Sequence, residues 1–344
     1  MAKPTFLHFQ DEQLLDACRT RDQITGAGAV HALEERLKSH YGKRYCLSTC
    51  NATTALLATA MATGLRDKEV LASPLNWGGS IGPFALMGNV IALGVLRHDD
   101  LNLAPEFFNL CISERTAAVL VNDQGGTVAE GQRIREFCDA HGLLYISDSA
   151  CSLGAFDHMG KAAGHHAHVT ITSFVADKGV SAGEGGAVLT DDAGIYERLL
   201  LTAAHPERQR KELGYHNPCS PLNSRIHPLA AHVLVSTWEA QMHRLRDKQQ
   251  RIALMLRGIR GQYQVGCYMP DRASTFQSAM LCAMPGIELT FAPIRPIMLH
   301  EQEQYGVDPV QFRIPSITRT WSEVLRENRY LPLTKVIEDQ WHLW

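Results

Sequence analysis

The chain reads as an α/β protein: a mainly parallel central sheet flanked by helices, with a smaller C-terminal α+β domain. Three patterns predict this. Short apolar runs alternate with helical periodicity through the first two-thirds of the sequence, the mark of repeated strand–helix units. One long helical pattern, Pro228 to about Arg260, closes that part. After roughly residue 262, β-like runs alternate with Pro-containing loops. The expected division is a large domain over 1–260, with a helical N-terminal arm, and a small one over 261–344.

Val30, Leu33, Leu37 and Tyr41 recur at helical spacing after Gly26-Ala27-Gly28. Ala52 to Thr63 is rich in Ala, Leu and Thr and meets a helix stop at Gly64. Asn89 to Leu96 and Ala117 to Val121 are short apolar runs that suit buried strands. Gln132 to His141 puts Ile134, Phe137 and Cys138 on one helical face and ends at Gly142. A strand over 143–146 leads to Asp148. Val169 to Phe174 and Gly186 to Thr190 read as further strands. The long helix carries Leu229, Val233, Trp238, Met242 and Leu245 among its apolar positions. Ser278 to Cys282 and Glu288 to Ile294 read as strands of the small domain.

Composition narrows the function. The 344 residues carry 33 Lys+Arg against 36 Asp+Glu, a formal net charge of −3, and are 45% hydrophobic. That balance argues against a basic nucleic-acid binder and against an acidic disordered tail. No apolar run is long enough for a membrane span, and the first residues lack the apolar stretch of a signal peptide. The nine cysteines include no C-x-x-C pair, so a disulfide framework is not expected and a cytoplasmic location is. No metal is expected. Cys46 and Cys50 lack a second pair at zinc-ligand spacing, and His165-His166-Ala167-His168 reads as a polar loop.

In a parallel sheet, ligands bind beyond the carboxyl ends of the strands. Asp148, Ser173, Lys178 and the loop near Ser73 all follow strands. Lys178 sits in a loop of small residues before Gly183-Glu184-Gly185-Gly186. A lysine withdrawn from water can form a Schiff base. A carboxylate at a neighbouring strand end can pair with a protonated pyridine nitrogen. Taken singly, each has an ordinary reading too: a surface lysine at a tight turn, or a carboxylate that caps a helix.

The order of motifs resembles the DegT/StrS sugar aminotransferases, fold-type-I pyridoxal phosphate enzymes, over roughly residues 24–260. Ser173-Phe174-Val175-Ala176-Asp177-Lys178 with Gly183 to Thr190 is similar to that family's Schiff-base segment. Asp148 to Ala155 is similar to its Asp-Ala-Ala-Gln-Ala-His-Gly-Ala run. Asn51-Ala52-Thr53-Thr54-Ala55-Leu56 resembles its phosphate turn, and Asn223-Ser224-Arg225-Ile226 its Asn-Tyr-Arg-Met segment. The resemblance implies pyridoxal 5'-phosphate as cofactor. It gives Lys178 and Asp148 catalytic roles and gives Ala52, Thr53, Trp77, Cys151, Ser173 and Asn223 cofactor contacts. Trp77 would stack on the pyridine ring, and Asn223 would reach the neighbouring subunit's cofactor, which implies a homodimer with shared sites. Gly28, His205 and Arg225 would face substrate.

The implied reaction moves an amino group from an amino acid, glutamate or glutamine, to a keto-sugar, keto-cyclitol or similar ketone. The chain departs from the family at Ala52, Cys151, Leu153, Asp177 and Asn122-Asp123-Gln124-Gly125, mostly where substrate should lie. A lyase, decarboxylase or carbon–carbon bond-forming enzyme on the same fold therefore stays open, as does a non-catalytic sensor or partner subunit. Between His205 and Arg260 there are ten Lys/Arg and four Asp/Glu. Arg208, Arg210 and Lys211 read as a basic loop that could meet a diphosphate or carboxylate, or as a solvated face.

Overall fold

The computed structural model describes residues 11–97 and 100–259, and beyond them 263–264, 274–275, 277, 280–283, 311–313, 315–317 and 330–332. Helices α1 (Asp11–Arg19) and α2 (Asp22–Thr25) lead into α3 (Gly28–Tyr41). Then come β1 (Tyr45–Thr49), α4 (Ala52–Ala62), β2 (Glu69–Ala72), α5 (Gly78–Leu86), β3 (Val90–Leu93), α6 (Phe108–Cys111) and β4 (Thr116–Asn122). The chain continues through α7 (Gly131–His141), β5 (Leu144–Asp148), β6 (Val169–Ser173), β7 (Gly186–Thr190), α8 (Ala193–Ala203), α9 (Pro206–Leu213) and α10 (Pro228–Ile259). Four short strands follow: β8 (Tyr263–Gln264), β9 (Met280–Ala283), β10 (Phe312–Arg313) and β11 (Tyr330–Pro332).

Among the described residues the main sheet runs β1-β7-β6-β5-β4-β2-β3-β10, and β11-β9-β8 form a second sheet. Pairing is parallel from β6 across to β10, as the strand–helix alternation predicts. Strand β7 is the exception and lies antiparallel to both β6 and β1. Strand β10 joins the main sheet beside β3. The small-domain strand expected from Ser278 appears as Met280–Ala283. The one expected over Glu288 to Ile294 lies outside the described residues, as does most of 261–344.

Each sheet face carries its own core, because side chains alternate along a strand. Leu71, Val119, Val121 and Tyr145 pack with Ile134 and Cys138 of α7. Val70, Leu120, Ile146 and Val188 pack with Leu56 of α4 and Leu199 and Leu200 of α8. The stripe read from the sequence of α3 is buried: Val30, Leu33, Leu37 and Tyr41 meet Leu234, Trp238, Met242 and Leu245 of α10. Burying each such Leu stabilises by about 1.5–3 kcal/mol. Both Gly64 and Gly142 stop their helices in the left-handed region, at φ 68° and 64°.

The basic segment before Asn223 differs from the sequence reading. Arg208, Arg210 and Lys211 lie on helix α9, not in a loop. Arg208 is buried, and its guanidinium donates to both carboxylate oxygens of Glu34 at 2.9 and 2.7 Å and to Glu212 at 2.7 Å. Its charge holds α9 to α3 and does not face solvent. The histidine run resolves into local contacts. His166 bonds Asp157 and His168 bonds Asp139, each at 3.0 Å. Among the described residues no helix is long and apolar enough to cross a membrane.

Candidate active site

The carboxyl ends of the strands converge on a cavity of about 530 Å³. Ala52, Thr53, Trp77, Asp148, Cys151, Ser173 and Lys178 line it, together with Asn76, Ser80, Asn122, Asp123, Gln124 and Asp177. Seven sequence-predicted site residues thus share one wall system. Asn223, Gly28, His205 and Arg225 do not join them. Asn223 is exposed, at φ 43°, in the segment leading to α10. Gly28 opens α3 beside Asp22. His205 caps α9, its Nδ1 accepting from the Glu207 N–H at 3.1 Å. Arg225 and His205 line a separate small cleft with Gln23 and Ser224.

The cavity is anchored at one side by the start of α4. The Asn51 side chain caps that helix, its Oδ1 accepting from the Thr54 N–H at 2.8 Å. The preceding N–H groups of the first turn have no partner within the helix and carry the positive end of its dipole, a natural seat for a phosphate. Strand β7 comes close enough that only glycine fits: a Cβ on Gly186 would fall 2.5 Å from the Asn51 carbonyl carbon and the Ala52 nitrogen. Ser173, at the end of β6, adds a buried hydroxyl on the same side.

Asp148 ends β5 at the centre of the sheet and is 6% exposed. Its carboxylate accepts from Ser80 Oγ at 2.5 Å and from the Ala150 N–H at 3.1 Å. Burial pushes its pKa up, opposed by Ser80, the Ala150 N–H and the Lys178 charge. A buried carboxylate with that little compensation suits a cationic partner in the cavity. Lys178 is held in a short loop by its N–H donating to Val175 O at 3.0 Å. Its Nζ donates to Cys151 Sγ at 3.3 Å and stands 3.9 Å from Asp177 Oδ2. The Asp177 side chain is 69% exposed, so it borders the mouth of the cavity. Burial pushes the Cys151 thiol up, with Lys178 opposing, so the sulfur at Lys178 is a neutral thiol. Trp77 lies over the backbone of Gly79, where a Cβ would fall 2.0 Å from the indole. Its ring is 72% exposed.

Sequence reasoning missed two residues here. Ser80 sits on a Gly-rich helix start with nothing in its sequence to mark it. Asp123 was seen only as part of an altered loop. It is buried and accepts from the Ala129 N–H (2.9 Å), Ser149 Oγ (3.1 Å) and Ser152 Oγ (2.7 Å). It thereby ties down the loop that carries Asp148 and Cys151. The C-terminal part also reaches this loop, Thr275 Oγ1 donating to Cys151 O at 2.5 Å.

Residues 8–305 match the DegT/DnrJ/EryC1/StrS aminotransferase family. The chain belongs to that family. Within it, the chain is 30% identical over 212 residues to a UDP-2-acetamido-2-deoxy-3-oxo-D-glucuronate aminotransferase of Pseudomonas aeruginosa, 61% of this chain and 58% of that protein. The chain spans about half the length of the curated relatives it matches. Among solved structures, a DegT/DnrJ/EryC1/StrS aminotransferase from Brucella abortus superposes with TM-score 0.74 at 21% identity, covering 94% of this chain and 90% of that one. E. coli GDP-4-keto-6-deoxy-D-mannose-3-dehydratase with bound hydrated PLP also gives 0.74, at 15% identity, covering 95% and 92%. These likenesses establish the fold-type-I architecture of the DegT family.

The cavity residues fit pyridoxal phosphate. An amine, a buried carboxylate, a helix N-terminus and an aromatic ring are set around one opening.

Proposed function

We propose that the protein is a pyridoxal phosphate-dependent aminotransferase that moves an amino group from an amino acid to a keto-sugar, keto-cyclitol or similar ketone. The observation that carries the reading is the placement of Lys178 Nζ and the Asp148 carboxylate on one cavity wall, with the α4 N-terminus opening on the same space. Ala52, Thr53 and Ser173 would hold the cofactor phosphate, and Trp77 would cover the ring. Asp148 would pair with the ring nitrogen, and Lys178 would hold the aldehyde. The cofactor, when bound, supplies an electron sink that lets a C–H bond beside an amino group release its proton. Asp148 remains ionised opposite the ring nitrogen, which preserves that sink. Lys178 Nζ takes the proton from the donor's α-carbon and returns it, as general base and then general acid. The Cys151 thiol accepts a hydrogen bond from Nζ without bidding for its proton.

Family membership and the sugar aminotransferase of Pseudomonas aeruginosa support a ketone carried on a sugar as acceptor; glutamate or glutamine is the donor proposed with it. The exposed, left-handed Asn223 supports a homodimer in which that side chain serves the neighbouring site, with Gly28, His205 and Arg225 on its substrate side. The cysteines suit a reducing cytoplasm.

The second reading is elimination, since a dehydratase shares the fold equally well. Holo-protein mixed with glutamate or glutamine should lose its visible absorbance as the pyridoxamine form accumulates. The Lys178→Ala variant should not turn over. Release of a dehydrated or deaminated product with no keto acceptor needed would favour the second reading, and wild-type turnover by Lys178→Ala would end both.

A further inference from the structure

We propose that Asn76, Asn122 and Gln124 form an uncharged recognition subsite for the hydroxyl groups of a neutral, polyhydroxylated ketone. This deepens the aminotransferase reading and rests on it. Asn76 follows β2 and is 6% exposed. Its Oδ1 accepts from the Trp77 N–H at 2.9 Å, which leaves Nδ2 buried at the cavity wall with no partner among the described residues. Asn122 ends β4 in register with Asp148. Its Nδ2 donates to Leu75 O at 3.2 Å and to Gln124 Oε1 at 2.6 Å, so its Oδ1 is left buried and unpartnered in turn. With Oε1 taken, Gln124 has its Nε2 hydrogens to offer. The set is donor, acceptor, donor. A hydroxyl group, which both donates and accepts, satisfies such a set, and a buried polar atom left unsatisfied is unfavourable.

Charge and position favour the same ligand. The cavity is lined by three carboxylates, Asp123, Asp148 and Asp177, and by one cation, Lys178. The three amides carry no charge to pair with a phosphate or carboxylate on the ketone, whereas a hydroxyl finds both a donor and an acceptor among them. The sheet order places the phosphate seat, at the ends of β1 and β6, on one side of Asp148, and the amides, at the ends of β4 and β2, on the other. The amides therefore do not compete with the phosphate seat. Any anionic part of a larger acceptor belongs away from these amides.

The test loads the full chain with pyridoxamine phosphate and offers three acceptors: a pentahydroxycyclohexanone, cyclohexanone and 2-oxoglutarate. Return of the visible band gives the single-turnover rate, and titration gives cofactor affinity. The wild type should return at least tenfold faster with the pentahydroxy ketone than with cyclohexanone. Asn76→Ala and Asn122→Ala should each reduce that ratio at least tenfold, with cofactor affinity changed less than twofold. Gln124→Ala and Asn76→Ser read the same ratio if either alanine variant fails to fold. Equal rates with the two cyclohexanones, no reaction with the pentahydroxy ketone, an unchanged ratio in the variants, or a matching loss of cofactor affinity would each overturn the subsite. In the last case the amides serve the ring. Reaction with 2-oxoglutarate under any of these outcomes keeps the aminotransferase reading intact. Failure of all three acceptors overturns the subsite, and the aminotransferase reading is then decided separately by the half-reaction with glutamate or glutamine.

Discussion

Asp123 is a buried carboxylate in the floor of a site that already holds Asp148, and replacing it by asparagine should stabilise the protein at neutral pH. Burial, partly offset by the Ala129 N–H and the Ser152 and Ser149 hydroxyls and reinforced by Asp148, pushes its pKa from 3.8 to about 6. The folded state thus holds a proton that the unfolded state gives up between those values. The sign follows from linkage: stability from this group is full below about pH 4 and is lost as pH rises through about 6. A gap of roughly two pH units, at about 1.4 kcal/mol each, sets a ceiling of about 3 kcal/mol at pH 8. Asparagine keeps the shape. Its Oδ1 can accept from the Ala129 N–H, and its amide can donate to the two serine hydroxyls, which then turn to accept. Urea unfolding of apo wild type and Asp123→Asn, at pH 5 and pH 8, measures the difference. The variant's advantage should already be about half its ceiling at pH 5 and should grow by on the order of 1–1.5 kcal/mol more by pH 8. A variant that is less stable than wild type at pH 8, or an advantage that shrinks with rising pH, would show that the charge is welcome where it sits.

Three further outcomes follow from the geometry. Arg208→Ala strands Glu34, whose carboxylate also accepts from the Ser48 N–H at 2.8 Å; the loss should be about 3–5 kcal/mol by chemical denaturation, and an apolar pair, Glu34→Leu with Arg208→Met, should recover most of it. Gly186→Ala pushes a methyl into the α4 N-terminus, so cofactor affinity measured by absorbance titration should fall about tenfold, or about 1.4 kcal/mol, with the far-ultraviolet circular dichroism retained. Ser80→Ala removes a hydrogen bond to Asp148, and net stability should fall by about 1.5–3 kcal/mol above the range where that carboxylate titrates, as thermal unfolding at pH 8 would show.

Much of this molecule was legible in its sequence because burial on both faces of a parallel sheet leaves uninterrupted apolar runs. Strands at 117–121, 169–174 and 186–190 and the stripe from Val30 to Tyr41 are of that kind, and the observed elements sit within a residue or two of them. Strand β1 was not legible: Tyr45-Cys46-Leu47-Ser48-Thr49 mixes polar and apolar residues, since Ser48 turns inward to Glu34. Helix α5 was hidden by Gly78, Gly79, Gly82 and Pro83, poor helix formers that tertiary packing overrides. Arg208 misled for a related reason. Local charge shows the run of basic residues but not the glutamate 174 positions away that neutralises one of them. At the site, the residues that line the cavity with Lys178 and Asp148 carried local motifs. Ser80 and the hydrogen bonds of Asp123 depend on strands brought together from distant segments, which no local motif encodes.

The antiparallel strand β7 has one more effect. It starts where β6 ends, so the loop bearing Lys178 leaves and re-enters the sheet at the same rim, with Val175 bridged to Gly183 across its base. A loop planted on two adjacent strands has little room to swing. The Lys178 nitrogen thus keeps a fixed address relative to Asp148, and room for ligands of different girth is left to the opposite bank of the cleft. Changes in that bank can alter what the cavity admits while the amine and the acid stay aligned.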